Sequence, residues 1–291
     1  PRAVVGGVGQ HLLDVVARFF ERDVLGPDLA RQHRPVAPGA RAVGTGVVGR
    51  RGHGHGACKV VQRQLEVGGA NGDVIVGSPN ANDTDNKLAD AGKVTVLSSN
   101  TIVEVFHQYG AVAKAYLGKS VAAGNIDSMA GDGVLVGAPG DDIAATVSTK
   151  KMVDAGSVTI FFADVAKPPV KKYGAGAKAG LGNSVATGDV NGDGYADIIA
   201  GAWKDDKTVS PKTLKDTGSV SIWSGNGYAQ IGSTLYGGTS KDYFGTSVSA
   251  GDINCDGKDD IIIGIPSKDV SATQLKKDAG AVNVLSGSSF H

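Results

Sequence analysis

The chain has 291 residues, 41% hydrophobic and 20% charged, with 44 Gly and 10 Pro, enough for a core of real size in one large domain or two small ones. A formal net charge of zero gives no global basic field of the kind nucleic acid attracts, and no run approaches the 18 apolar residues of a membrane span. Two cysteines, Cys58 and Cys255, exclude a disulfide-dense scaffold, and three glutamates against abundant Gly and Asp favour turns over helices.

The first stretch differs from the rest. All nine Arg fall within residues 1–63, with one Lys; that stretch carries 10 basic and 4 acidic residues, and the remainder 19 Lys against 25 acids. Such a switch marks a domain boundary or a junction between unrelated segments. The chain opens at Pro1 with no charged region leading into an apolar one, and reads as a fragment or a processed form. Leu12, Val16, Phe19 and Phe20 recur at helical spacing and predict one short helix over about Gln10–Val24. Residues 35–57 hold Gly, Pro, Ala and Arg without period and read as irregular. Gly44, Gly46 and Gly49 match a dinucleotide-type glycine spacing, but Arg50-Arg51-Gly52 cannot open a helix and no acid follows about 20 positions on. His53 and His55 have only Cys58 near as a further ligand and read as exposed surface. We therefore expect an Arg/Gly-rich segment over residues 1–65 and a repeat region over 66–291.

The repeat region is self-similar. Segments beginning Leu117-Gly118, Leu181-Gly182 and Phe244-Gly245 align without gaps, each running through Ser-Val, an Asp/Gly loop and an apolar run that ends near Gly137, Gly201 or Gly264. A second marker, Asp-(Ala/Thr)-Gly, recurs at Gly92, Gly156, Gly218 and Gly280, and Asp73-Val-Ile-Val-Gly77 begins a partial first copy. The repeats span roughly 66–116, 117–180, 181–243 and 244–291. In each, the continuous apolar run fits a strand buried on both faces, and the alternating stretch after the second marker, such as Gly218-SVSIW, fits a half-buried strand. A polar loop of about 15 residues separates the two, and a weaker strand, as in Gln230-IGSTLYG, completes four. Four strands in about 63 residues is a propeller blade, a unit that buries its faces only by stacking on neighbours.

Two loops carry candidate chemistry. Asp189, Asn191, Asp193 and Asp197, and equally Asp252, Asn254, Asp256 and Asp260, place oxygen side chains at loop positions 1, 3, 5 and 9. Gly194 and Gly257 stand at position 6, and Tyr195 and Lys258 at position 7 can offer backbone carbonyls. Hard oxygen ligands at this spacing suit Ca²⁺, which takes six to eight of them at about 2.3–2.6 Å. Three carboxylates in one small space repel one another by about 4 kcal/mol per pair at 4 Å and an effective dielectric near 20. Position 12 is Ala200 or Ile263, not the Glu of a helix–loop–helix calcium site, and strands flank the loops. The second repeat keeps Asn125, Asp127 and Asp132 but has Met129 at position 5 and Gly133 at position 9, a weaker candidate.

These features together resemble FG-GAP repeats, the blades of integrin α-subunit propellers. The resemblance rests on Leu117-Gly118, Leu181-Gly182 and Phe244-Gly245 with Gly77-Ser78-Pro79, Gly137-Ala138-Pro139, Gly201-Ala202-Trp203 and Gly264-Ile265-Pro266, and covers about residues 67–291. It implies an all-β propeller, partial at about three and a half blades because the family closes with seven, with an unrelated N-terminal segment. It also implies calcium in the acidic loops at one face, and a protein or glycan ligand at the opposite face, on loops such as Asp141–Asp154, Lys204–Asp216 and Lys268–Asp278. A secreted or cell-surface, non-catalytic adhesion role follows, with further blades supplied by a longer parent chain. The alternatives are the accessory propeller of a secreted hydrolase such as glycosylphosphatidylinositol-specific phospholipase D, and a lectin using Trp203, Trp223 or Tyr228. No Gly-x-Ser-x-Gly or His-Glu-x-x-His occurs, and His107 stands apart from other catalytic residue types. Asn82-Asp83-Thr84 is a glycosylation sequon, Cys255 is expected to point outward, unpaired, and Trp203 and Phe244 are expected in packing.

Overall fold

The computed structural model describes residues 59–62, 73–98, 103–127, 131–144, 151–164, 166–271 and 275–290. The expected helix over Gln10–Val24, the Gly44–Gly49 pattern, His53, His55 and Cys58 lie outside these. Four antiparallel meanders follow one another along the chain. The first contains β1 (Lys59–Gln62), β2 (Val74–Ser78), β3 (Lys93–Leu97) and β4 (Glu104–Tyr109); the second contains β5 (Ser120–Gly124), β6 (Gly133–Ala138), β7 (Ser157–Phe161) and β8 (Val170–Tyr173). The third is built from β9 (Leu181–Gly188), β10 (Asp197–Ala202), β13 (Ser219–Trp223) and β14 (Leu235–Tyr236). Small hairpins β11 (Lys207–Val209)–β12 (Lys212–Leu214) and β17 (Val270–Ser271)–β18 (Leu275–Lys276) occupy stretches that read as plain polar loops in the sequence. β15 (Ser247–Gly251), β16 (Asp260–Ile265) and β19 (Ala281–Leu285) make the fourth sheet, three-stranded among the described residues.

β1 pairs with β2 in register from Lys59↔Gly77 to Gln62↔Val74. The first sheet therefore reaches upstream of residue 65, where the charge composition changes. Strand register follows backbone pairing, which composition does not see.

Why the middle strands read as unbroken apolar runs is plain from their two faces. Successive side chains of a strand point to opposite sides. Val134 and Val136 of β6 join Ile75, Val94 and Val96 of the first sheet in one core, while Leu135 between them joins Ile198 and Val185 of the third sheet in the next. In β10, Ile198 and Ala200 face backward and Ile199 faces forward, toward Ile261 and Ile263. Each seam between sheets is thus a separate hydrophobic core, and Phe244, 4% exposed, fills the last one.

The recurrent glycines are where backbones meet across those seams. A Cβ at Gly77, Gly137 or Gly201 would lie 2.1, 2.0 and 2.0 Å from the carbonyl oxygen of Gly118, Gly182 and Gly245 in the following sheet. The apolar residue before each of those glycines also bonds across: Leu117 N to Ala91 O, Leu181 N to Ala155 O and Phe244 N to Thr217 O, at 2.9–3.0 Å. The two sequence markers of the repeat are thus the two sides of one seam.

Candidate functional site

In an antiparallel meander the loop between the first two strands and the loop between the last two emerge at one end, and the middle loop at the other. The acidic loops therefore share an end. Loops 139–156, 203–218 and 266–280 share the opposite one.

The two complete loops share four backbone bonds, and the third repeat adds one more. Asp189 accepts the amides of Gly192, Asp193 and Gly194 at 2.7–3.0 Å, Asn191 Oδ1 accepts Asp193 N at 2.8 Å, and Asp193 Oδ1 accepts Tyr195 N at 2.9 Å. One repeat later Asp252 accepts Asp256 N and Gly257 N, Asn254 Oδ1 accepts Asp256 N at 2.8 Å, and Asp256 Oδ1 accepts Lys258 N at 3.0 Å. Short side-chain acceptors that bond the backbone two to five residues on are what make Asp and Asn turn formers. The Asn amide in each loop also donates to the Asp two residues on, Asn191 Nδ2 to Asp193 Oδ2 at 3.2 Å and Asn254 Nδ2 to Asp256 Oδ2 at 3.0 Å.

Position 9 is different in kind. Asp197 is fully buried; its Oδ2 accepts Val190 N and Asn191 N, and its Oδ1 accepts Gly225 N from the end of β13. Asp260 repeats this with Ile253 N on Oδ2 and Gly287 N on Oδ1. These two carboxylates tie each acidic loop to the next turn of its own sheet. Burial pushes Asp197 up to about 6, against three amides that lower it, and the nearby Asp193 charge adds to the rise. For Asp260, in the last sheet, the Gly287 amide outweighs burial and holds the carboxyl below its ordinary range.

Adjacent loops are also joined. Ala196 N donates to Asn125 O at 2.7 Å, and Asp259 N donates to Asp189 O at 2.8 Å, while Asp189 N donates back to Asp259 Oδ2. Among the described residues, no group of three Asp, Glu, His or Cys side chains is gathered as a metal cage. The oxygens on offer are a mixed set of carboxylate, Asn amide and backbone carbonyl. All are hard donors without nitrogen or sulfur, which is the chemistry a hard divalent cation takes. A carboxylate has about four acceptor directions; Asp189 Oδ2, Asp193 Oδ1 and Asp197 Oδ1 each accept one amide and keep a direction for a cation, whereas Asp189 Oδ1 and Asp197 Oδ2 each accept two.

The remaining candidates are placed as follows. Asp127 lies in the second repeat's loop and pairs with Lys167; Asn125 is exposed and Asp132 half-buried. Asn82 is exposed and its Oδ1 accepts Asp90 N, leaving the amide nitrogen outside that bond. Cys255 is exposed and free, with φ at 61°. Trp223 is 9% exposed within a seam core, and Trp203 is half-buried against Tyr243, ring centroids 5.7 Å apart. Tyr228 packs on Phe162 and Lys167. His107 is paired with Glu104, a contact that no motif or spacing signals.

Residues 181–223 and 244–285 match the FG-GAP repeat. With the four stacked sheets, these repeats make the described region an all-β, integrin-α-like FG-GAP propeller fold. The chain is 38% identical over 89 residues to integrin alpha-V of Gallus gallus, covering 30% of this chain and 7% of that protein. It is 31% identical over 191 residues to integrin alpha pat-2 of Caenorhabditis elegans, covering 59% of this chain and 14% of that protein. The chain thus spans less than a sixth of the length of these relatives. Among solved structures, rhamnogalacturonan lyase YesW aligns with a TM-score of 0.40 and 11% identity, over 71% of this chain and 41% of that one. Among the described residues, no helix is long and apolar enough to cross a membrane.

Proposed function

We propose that this chain is a calcium-stabilised recognition module of a secreted or cell-surface protein, acting in adhesion by binding and not by catalysis. The observation that carries the reading is the set of bonds the two acidic loops share at positions 1, 3, 5 and 9. Each holds side-chain oxygens at positions 1, 3 and 5 in a fixed ladder of backbone bonds. Asp189, Asn191, Asp193, the Tyr195 carbonyl and Asp197 would hold one Ca²⁺. Asp252, Asn254, Asp256, the Lys258 carbonyl and Asp260 would hold the other. The ion would neutralise the clustered carboxylates and staple two strands at one end of the sheets. Exposed oxygen sites of this kind fill where calcium is millimolar, outside the cell. The Asn82-Asp83-Thr84 sequon, whose exposed Asn82 is an acceptor for a glycan in a secreted chain, agrees with that location.

The partner, a protein or a glycan, would engage the opposite end, at the loops 139–156, 203–218 and 266–280. Burial of Trp223 and the engagement of Tyr228 weigh for a protein over a stacked sugar. The outer face of the fourth sheet carries Val282 and Val284, 64% and 55% exposed, at the positions where Val158 and Ile160 fill the seam after the second sheet. A further repeat of the same kind would cover it.

Calorimetric titration with Ca²⁺ tests the reading. Asp193→Ala and Asp256→Ala should each remove about one equivalent, and calcium should raise the melting temperature of the parent chain. Unchanged stoichiometry in both variants refutes the assignment.

A further inference from the structure

The second repeat lacks the carboxylates that the third and fourth have at loop positions 5 and 9, yet Asn125, whose carbonyl accepts Ala196 N, sits at the same end of the same stack. A lysine reaches into that place. Lys167, from the segment between β7 and β8, sets its ammonium 2.5 Å from Asp127 Oδ2 and 3.0 Å from Tyr228 Oη. The same ammonium lies 3.8 Å from the centre of the Phe162 ring and 5.6 Å from that of Tyr228. Asp127 is 13% exposed and Lys167 26%. Tyr228 belongs to the turn after β13, in the following sheet, and its carbonyl also accepts Lys172 Nζ at 2.8 Å.

Resting on the calcium reading of the other two loops, we infer that the Lys167 ammonium is the resident cation of the second repeat, bridging the Asp127 carboxylate to Tyr228 across the seam, so that this loop takes no divalent ion. The chemistry exchanges in step along the chain. Where position 3 is Asn191 and position 5 is Asp193, the residue matching Lys167 is Ala229 counted from the Asp-(Ala/Thr)-Gly marker or Gln230 counted from the last strand, and neither carries a charge. Where position 3 becomes Asp127 and position 5 Met129, a lysine stands there. One ammonium suits one carboxylate, and the two aromatic faces accept the remainder of its charge in a partly dry site. Burial alone would lower the lysine's pKa, but its bonds to Asp127 and Tyr228 outweigh that and keep it protonated.

The consequence is two kinds of loop within one stack, one held by a lysine without calcium and two that depend on it. The test compares melting of the parent chain, Lys167→Met, Tyr228→Phe and Asp193→Ala, each in calcium and in chelator, alongside calcium titration of the parent and Asp127→Asn. Lys167→Met keeps the aliphatic stem and loses the charge. It should melt lower by roughly 3–6 °C, by the same amount with and without calcium. Tyr228→Phe, a milder change that keeps the ring, should follow in the same pattern with a smaller drop. Asp193→Ala also gives up its bonds to Tyr195 N and Asn191 Nδ2, so it should melt lower in both conditions but by clearly more in calcium. The parent should bind two equivalents and Asp127→Asn the same two. A third equivalent lost in Asp127→Asn, or melting of Lys167→Met equal to the parent in chelator, overturns the inference. Absence of any calcium uptake sinks the reading of the other loops instead, and the bridge is then decided by the Lys167→Met melt in chelator alone.

Discussion

Gly201 and Gly264 occupy the same place in consecutive repeats, and the same substitution should have opposite consequences at the two. Neither has a positive φ, so alanine is compatible with the backbone at both. Within a strand, alanine is worth roughly 0.5–1 kcal/mol over glycine because glycine loses more freedom on folding. At Gly201 the new Cβ would lie 2.0 Å from Gly245 O and 3.0 Å from its carbonyl carbon. A carbon and an oxygen rest more than 3 Å apart, so the third and fourth sheets would have to separate by about 1 Å along a seam filled by Ile199, Val220, Ile222 and Phe244. Overpacking of this kind costs about 3 kcal/mol, for a net loss of about 2 kcal/mol or somewhat more. At Gly264 the nearest atom is Ser247 Oγ at 2.2 Å, with the next at 3.6 Å; that hydroxyl is free to rotate away. Differential scanning fluorimetry should show Gly201→Ala melting lower by roughly 4–12 °C, with Gly264→Ala level with the parent or slightly above it. Equal melting of the two variants would mean that the third and fourth sheets do not touch at this glycine, and the stacking described above would fail with it.

Two further outcomes follow from single residues. Asp242 is buried; burial would raise its carboxyl, but the Thr239 hydroxyl and amide and the Lys268 ammonium, 2.5, 2.8 and 3.2 Å away, outweigh burial and hold it below the ordinary value. Its contribution is therefore complete above the unfolded carboxylate's range and fades as the pH falls through the lowered folded value. Asp242→Asn should cost about 2 kcal/mol near pH 7 and converge with the parent in acid, read by urea titration at several pH values; a pH-independent gap would refute it. Cys255 holds φ at 61° in the fourth repeat, where the third has Gly192 at 78°. Cys255→Gly should stabilise by about 1 kcal/mol by relieving left-handed strain, and the parent thiol should react fully with a thiol reagent in the native state.

Much of this molecule is legible from its residues because its order is local and repeated. The strands follow from runs such as Asp197-IIAGA, and the acidic loops from spacing alone, since Asx bonding reaches only two to five residues along the chain. What could not be read locally is what happens between segments a dozen to some 60 residues apart. β1 joining the first sheet upstream of the charge break is a matter of pairing. The commitment of Asp197 and Asp260 to the amides of Gly225 and Gly287 needs the turn after the third strand to be in place. The Lys167–Asp127–Tyr228 cluster spans 102 positions and carries no spacing signal. The sequence by itself determined the repeat, its strands and its candidate ligands, because hydrophobic alternation and turn chemistry act over a few residues. Only tertiary structure decided which backbone each glycine must admit and which charges meet, because close packing and electrostatics act through space.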